Sequence, residues 1–272
     1  MRIRQGWKNR PAGVNNQEGR LKKKFTLFVI FCVFITAPAC VFAGTAPQNW
    51  DKFEKKIRDN TIQKPRAKAF VKAMRPLLDS YYYAAACDTT PAVFVFPVEG
   101  YGPDSIGGKK GSGYIASRYD FFEGNKHSGH PAHDIFIRDR NHDLKDDRTG
   151  KPVRVLSASD GVVVSVNTGW EPGSEIRGGN TVWVYDPGVK GLYYYAHMDK
   201  ISVKTGDIVN PGQELGTVGR TGKSAFPRRS ATHLHFMFLY YGKDGTMKPE
   251  NIYKSLTKRI RPVAREKNEN TN

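Results

Sequence analysis

The chain has 272 residues, of which 39% are hydrophobic and 12% aromatic, so it has ample material for a folded core and is not a mainly disordered protein. Its formal net charge of +17 at first indicates an anionic partner such as nucleic acid. However, residues 1–43 hold eight of the 43 basic residues and one of the 26 acidic residues, so a chain without them keeps a charge of +10.

The N-terminus has the pattern of a secretory signal: a basic region, then the uncharged residues 25–43, ending in the small-residue sequence Val41-Phe42-Ala43. We predict cleavage after Ala43 and export to the periplasm or cell envelope, where the anionic partner is the cell wall rather than nucleic acid. An uncleaved anchor is the alternative, because 19 apolar residues are barely enough to span a bilayer. Membrane association is expected only in that case, or if Cys40 carries a lipid. The mature chain would keep Cys87 alone and form no internal disulfide.

Residues 44–89 are predicted to be a short helical segment. Trp50, Phe53 and Ile57 recur at helical spacing, and a second apolar series runs on to Tyr81. Pro76 is predicted to kink or divide the second helix. We interpret the segment as a docking or linker region rather than a catalytic one.

From about residue 90 to 257, short runs rich in Val, Ile and Tyr alternate with Gly, Pro, Asn and Asp. This pattern predicts a mostly β domain built from an antiparallel sheet or sandwich. Residues 258–272 are predicted to be a polar tail.

Three histidine patterns lie within the predicted sheet. His233 and His235 are two apart on one predicted strand, so both imidazoles face the same side, as in a shared metal site or a solvated pair. His130 and Asp134 lie about 13 Å apart if the strand is straight, so both can bind one metal only if the chain turns near Gly129. His197 ends an aromatic run, and strand alternation predicts that it shares a face with Tyr193 and Tyr195.

Together these patterns resemble the LytM/lysostaphin-like zinc metallopeptidases, peptidase family M23, over residues 121–238. The resemblance lies in HPAHD at 130–134, SASDGVVV at 157–164, GNTVWV at 179–184, YYAHM at 194–198, VKTGDIVNPGQELGTVGRTG at 203–222 and HLHF at 233–236. It implies a LytM-like peptidase fold and one Zn²⁺ per chain. His133, where Gly is usual, and Met237, where Glu is frequent, depart from the family pattern. His133 is a rival ligand, but the spacing favours His130.

The resemblance implies that His130, Asp134 and His235 bind zinc, while His197 and His233 act on the water and the developing oxyanion. Two histidines and one aspartate leave a fourth position open, as in catalytic zinc sites. We therefore expect a zinc metalloendopeptidase that hydrolyses peptide bonds in peptidoglycan stems or cross-links. No glutamate base accompanies the ligands, so proton transfer falls to a histidine.

Two other functions remain open from sequence. A non-catalytic peptidoglycan-binding or amidase-regulating protein could share the fold, and residues 203–216 resemble the hairpin of lipoyl- or biotinyl-type carrier domains. The second alternative leaves the histidines unexplained. Alternating oxygen side chains at residues 139–147 are typical of calcium loops, but the loop lacks the glycine and terminal glutamate of an EF-hand, so we interpret it as a solvated acidic insertion.

Overall fold

Two amphipathic helices open the described part of the chain. The computed structural model describes residues 45–86 and 93–258. Helix α1 spans Ala46–Arg58 and helix α2 spans Lys64–Ala85, which confirms the predicted helical segment. Each helix has a proline in its first turn, where the missing N–H costs no intrahelical hydrogen bond.

The prediction that Pro76 divides the second helix was wrong, because α2 continues through it without a break. Met74 and Leu78, on either side of the proline, are fully buried. Their packing outweighs the one backbone hydrogen bond that proline removes. Ser80 also donates its hydroxyl to the Pro76 carbonyl at 2.9 Å.

Nine β-strands follow within the described residues. They are β1 (His133–Phe136), β2 (Arg154–Leu156), β3 (Gly161–Asn167), β4 (Asn180–Asp186), β5 (Gly191–Ile201), β6 (Ile208–Val209), β7 (Glu214–Val218), β8 (His233–Tyr241) and β9 (Met247–Glu250). The main path through the sheet runs β1-β8-β5-β4-β3-β6; β7 pairs with β5 and β2, and β9 pairs with β8. All eight pairings are antiparallel. The predicted fold class, mostly β with an antiparallel sheet behind a helical segment, is thus confirmed.

The sheet buries both of its faces, so β4 is buried along its whole length and is apolar at its centre, from Val182 to Val184. One face packs against β2, β7 and the segment around Val98, with Tyr195 and Phe236 at its centre. The opposite face is covered by α1 and α2, whose Trp50 and Leu78 join Tyr185 in a second core.

Polar contacts fix the helices to the sheet. The buried guanidinium of Arg75 donates to the Tyr241 carbonyl at 2.6 Å, and the Tyr81 hydroxyl donates to the Gly206 carbonyl at 3.1 Å. The helices are therefore an integral layer of the fold and not a loose linker. Within the described ranges, no helix has the length and apolarity needed to cross a bilayer.

A short helix, α3 (Tyr253–Thr257), ends the described part of the chain. The predicted signal and nearly all of the predicted tail lie outside the described residues. The boundaries at 43, 89 and 257 stay predictions.

Candidate metal centre and active site

The pairing of β1 with β8 places two candidate ligands opposite each other. Asp134 is in register with His235, and the Asp134 Oδ1 atom lies 3.0 Å from His235 Nδ1. Both side chains project from the sheet face that also carries the helices, beside Tyr194 of β5. Two adjacent strands of a packed sheet hold this pair rigidly.

His130 reaches the same point because the chain turns before β1. Gly129 adopts a left-handed φ of +79°, and a Cβ there would lie 2.8 Å from the carbonyl oxygens of Ile115 and Ser117. The His130 backbone bonds reciprocally with Ile115, and its Nε2 atom lies 3.2 Å from Asp134 Oδ1. The structure thus contains the turn that the His130–Asp134 spacing required.

The ligand atoms of His130, Asp134 and His235 all lie within 4.8 Å of one another. Two imidazole nitrogens and a carboxylate oxygen form a donor set that suits Zn²⁺, with room for a further ligand. The residues present therefore fit the metal that the resemblance implies. Elsewhere in the described ranges no other group of three such side chains converges in this way.

The acidic loop at residues 139–147 forms no such group. Its carboxylates accept hydrogen bonds from the loop: Asp139 from the Asp143 and Leu144 amides, and Asp146 from Arg148 and Tyr101. Asp139 also accepts the Thr232 hydroxyl at 2.6 Å, one residue before β8. Two of these acids, Asp139 and Asp146, are buried, so they stabilise the loop and are not simply solvated as the sequence suggested.

His197 enters the site through an irregularity in β5. Its φ is +64°, and the pairing of β4 with β5 shifts register next to it. Tyr193 and Tyr195 point into the opposite core, while His197 lines the cleft with Tyr194. The prediction that His197 shares a face with these tyrosines was wrong, because the left-handed residue reverses the alternation. Left-handed non-glycine residues cluster at functional sites.

His197 and His233 are neighbours, with ring centroids 4.9 Å apart. Each uses Nδ1 to donate to a backbone carbonyl: His197 to Thr221 at 2.8 Å and His233 to Ala231 at 2.7 Å. His130 does the same with the Gly113 carbonyl at 2.9 Å. Because a carbonyl can only accept, these bonds fix the tautomer and leave Nε2 with its lone pair.

Sequence reasoning missed these three carbonyl acceptors. Backbone acceptors leave no trace in residue identity. The basic loop at residues 107–113 was expected only to flank a groove, yet its Gly113 orients a candidate ligand.

The electrostatics of the site favour an ionised aspartate, and the hydrogen bond with that carboxylate raises the pKa of His130. Burial alone would raise the pKa of the Asp134 carboxyl, but hydrogen bonds with His130 and His235 outweigh it and hold that pKa well below its usual range. Burial lowers the pKa of His235 and, more strongly, of His197. Ionised carboxylate and neutral imidazole are the forms that bind metals.

His133 lies on the other face of β1. Its Nε2 atom lies 3.1 Å from Asn251 Oδ1, and its ring stacks on Tyr114 with centroids 5.6 Å apart. Strand alternation therefore turns this rival away from the ligand atoms of Asp134 and His235.

A cleft of about 720 Å³ exposes the cluster. The five residues singled out from sequence, His130, Asp134, His197, His233 and His235, all line it. Arg177 and Tyr194 line it as well, and neither was predicted.

Comparison with known proteins matches this site to one family. The model of peptidase family M23 matches residues 142–247, which include His197, His233 and His235. The predicted LytM/lysostaphin-like relationship is thereby confirmed. The matched M23 segment begins after His130 and Asp134, and it is the fold that joins these two residues to the matched histidines.

Curated proteins similar to this chain include the glycyl-glycine endopeptidase ALE-1 of Staphylococcus capitis. It is 38% identical over 87 residues, which cover 32% of this chain and 21% of ALE-1. The match thus spans about a fifth of that relative's length. Among solved structures, the catalytic domain of lysostaphin from Staphylococcus simulans is 25% identical with a TM-score of 0.36, covering 54% of this chain and 91% of that one. A putative glycyl-glycine endopeptidase lytM from Ruminococcus gnavus is 20% identical with a TM-score of 0.41, covering 78% and 88%.

Proposed function

We propose that this chain is an exported zinc metalloendopeptidase that hydrolyses peptide bonds in peptidoglycan stems or cross-links. The observation that carries the proposal is the convergence of the His130, Asp134 and His235 ligand atoms within 4.8 Å, with His197 and His233 in the same cleft. The match of residues 142–247 to the model of a peptidase family supports the same reaction class.

In this proposal, His130 Nε2, an Asp134 carboxylate oxygen and His235 Nδ1 hold one Zn²⁺. A bound Zn²⁺ polarises the scissile carbonyl and makes water acidic enough to attack near neutral pH. The chain's own contribution is rigidity. Asp134 and His235 stand on paired strands, and His130 is fixed through the Gly113 carbonyl.

His197 and His233 are the groups that move protons. Each donates Nδ1–H to a carbonyl, so each can accept a proton at Nε2 and return it to the leaving amine. A protonated imidazole beside the developing oxyanion would also stabilise it. His233 Nε2 lies 3.8 Å from Asp134 Oδ1, beyond hydrogen-bond distance, so it stands beside the candidate metal ligands without being bonded to Asp134. We assign water activation and oxyanion stabilisation to the pair jointly.

Peptidoglycan is proposed as the substrate from three supports. The residues quoted from the sequence resemble those of LytM/lysostaphin-like enzymes, ALE-1 is by name a glycyl-glycine endopeptidase, and the predicted mature chain keeps a charge of +10 that suits an anionic wall. The N-terminal secretory pattern supports export.

A digest of purified peptidoglycan tests the proposal. The zinc-loaded wild type should release new amino and carboxyl termini, and His130→Ala, His197→Ala and His233→Ala should not. A non-catalytic wall-binding protein would bind the same peptidoglycan but release no termini in any form. Equal release by the wild type and His130→Ala would contradict the proposal.

A further inference from the structure

A second cavity, of about 80 Å³, adjoins the cleft that holds the histidines. Arg177, Gly178, Tyr194 and His235 line both spaces, so a substrate in the cleft has direct access to its walls. The cavity extends from the metal centre towards α1, which contributes Glu54, Ile57 and Arg58. We call it the Glu54 pocket.

Glu54 is an unusual residue for a helix that packs on a sheet. Its side chain is only 8% exposed, at a position where the rest of the buried helix face is apolar. Its Oε2 atom accepts a 3.2 Å hydrogen bond from Ser165, but the Ser165 hydroxyl also donates to Asp51 at 2.9 Å. One shared hydroxyl is weak compensation for a buried carboxylate.

The cation with the strongest influence on Glu54, Arg58, is already engaged. Arg58 donates to both carboxylate oxygens of Asp59, at 2.7 Å and 2.9 Å, and to Asn167 Oδ1 at 3.0 Å. Burial raises the pKa of Glu54 to about 7 even though the charge of Arg58 opposes that rise. The carboxylate is therefore short of a positive partner in the folded protein.

Two arginines also line the pocket, but Arg58 is paired with Asp59 and Arg177 donates to the His127 carbonyl. The remaining walls are suited to an ammonium group on an aliphatic chain. Ile57 and Met237 supply apolar surface, and the aromatic side chains in the lining are Tyr119, Phe121, Trp183 and Tyr194. Aromatic walls with a carboxylate attract ammonium cations through the ring quadrupoles and the opposite charge. Apolar walls accommodate the methylene groups that precede the charge.

We propose that the Glu54 pocket binds a primary ammonium group at the end of an aliphatic side chain of the peptide substrate, with Glu54 as its counter-ion. The inference rests on the proposed peptidase function and deepens it, since it selects peptides that carry a lysine-like or other diamino residue near the cleaved bond. It also gives α1, which lies outside the matched family segment, a part in specificity.

Binding can be tested without turnover. The probes are stem-type peptides with a single lysine placed in turn on either side of the cleaved bond, each with a free or an Nε-acetylated amine. Calorimetry on zinc-loaded His197→Ala protein should show, for one position, about tenfold tighter binding of the free amine. Adding Glu54→Gln should bring the two affinities together by weakening only the free-amine peptide.

Glu175→Gln is the matched control, because Glu175 is next in sequence to Ile176 of the pocket but does not itself line it, pairs with Lys223 and has a side chain that is 78% exposed. The Glu175→Gln variant should leave the preference for the free-amine peptide unchanged. The inference is overturned if no position shows a preference for the free amine, or if Glu54→Gln keeps the full preference. The proposed function fails separately, if the wild type cleaves neither peptide form nor peptidoglycan whatever the binding shows.

Discussion

The Nε2 atom of His130 lies 3.2 Å from Oδ1 of Asp134, while the opposite nitrogen of the same ring donates to the Gly113 carbonyl at 2.9 Å. The imidazole is thus held from both sides, with its lone pair directed at the carboxylate. The two atoms lie this close only where a positive charge compensates them, either a proton on Nε2 or a metal ion in its place. The hydrogen bond with Asp134 raises the pKa of His130, so a positive charge is favoured at this point, and a bound Zn²⁺ would supply it.

Removing either proton-transferring histidine should separate metal binding from activity. We expect His197→Ala and His233→Ala to keep one Zn²⁺ per chain but to lose peptidoglycan cleavage by about 10²–10⁴-fold, the usual contribution of a general acid–base group. Metal analysis measures the bound zinc, and an assay of the amines released from peptidoglycan measures cleavage, both on the same samples.

His142→Asn is the control for that pair, because His142 lies away from the metal cluster and Asn tolerates its φ of +61°. It should cleave at the wild-type rate. Full activity in either His197→Ala or His233→Ala would remove that residue from the proposed chemistry.

The turn at Gly129 should resist substitution. Gly129→Ala forces a Cβ to within 2.8 Å of two carbonyl oxygens at a φ of +79°, so something must shift beside His130. We expect the free energy of unfolding to fall by roughly 2–4 kcal/mol and zinc affinity to fall with it. Urea denaturation and a zinc titration measure the two effects.

Gly150→Ala gives the comparison, since Gly150 also has a positive φ, +66°, but nothing lies within 4 Å of the added Cβ. The free energy of unfolding of Gly150→Ala should fall by about 1 kcal/mol, from backbone strain alone, and its zinc affinity should be unchanged. Equal losses in the two variants would show that the contact with Ile115 and Ser117 has no role.

Glu54 should make stability depend on pH in a defined window. Its pKa is raised by burial from 4.5 to about 7, so the folded chain holds this proton where the unfolded chain has released it. Folding is therefore penalised progressively as pH rises from about 4.5 to about 7, by up to about 3 kcal/mol, and the penalty is constant above that.

Glu54→Gln removes this penalty, so the variant should become more stable than the wild type as pH increases through the window. Near pH 4 the two should differ little. Parallel urea denaturation from pH 4 to pH 8 measures the difference, and a difference that does not change with pH would contradict the burial of an ionisable Glu54.

The sequence predicted which residues line this site better than it predicted where their side chains point. The spacing of His130 and Asp134 required a turn, and the structure has it at Gly129. The placement of His197 could not be predicted, because one left-handed residue in β5 reverses the alternation on which strand reasoning depends. Local propensity also predicted that Pro76 could divide the second helix. Helix α2 continues through Pro76 because its tertiary packing outweighs that propensity.

Long-range relationships account for most of what the sequence could not show. Gly113, Thr221 and Ala231 orient histidines through backbone carbonyls, whose role is independent of side-chain identity. Glu54 is separated from His235 by 181 positions, and only the packing of α1 on the sheet brings both to one cavity. Gly178 leaves space for the Tyr194 side chain, since a Cβ at Gly178 would lie 2.0 Å from the Tyr194 hydroxyl.

Zinc stoichiometry in three proteins tests the central claim most directly. Wild type, His130→Ala and His133→Ala should be purified alike, loaded with Zn²⁺, dialysed and analysed for bound metal, with circular dichroism confirming that each is folded. The account predicts one Zn²⁺ in the wild type and in His133→Ala, whose side chain lies on the opposite face of β1, and a loss of tight binding in His130→Ala. Retention of zinc by folded His130→Ala, or its loss from folded His133→Ala alone, would contradict the assignment of the metal centre.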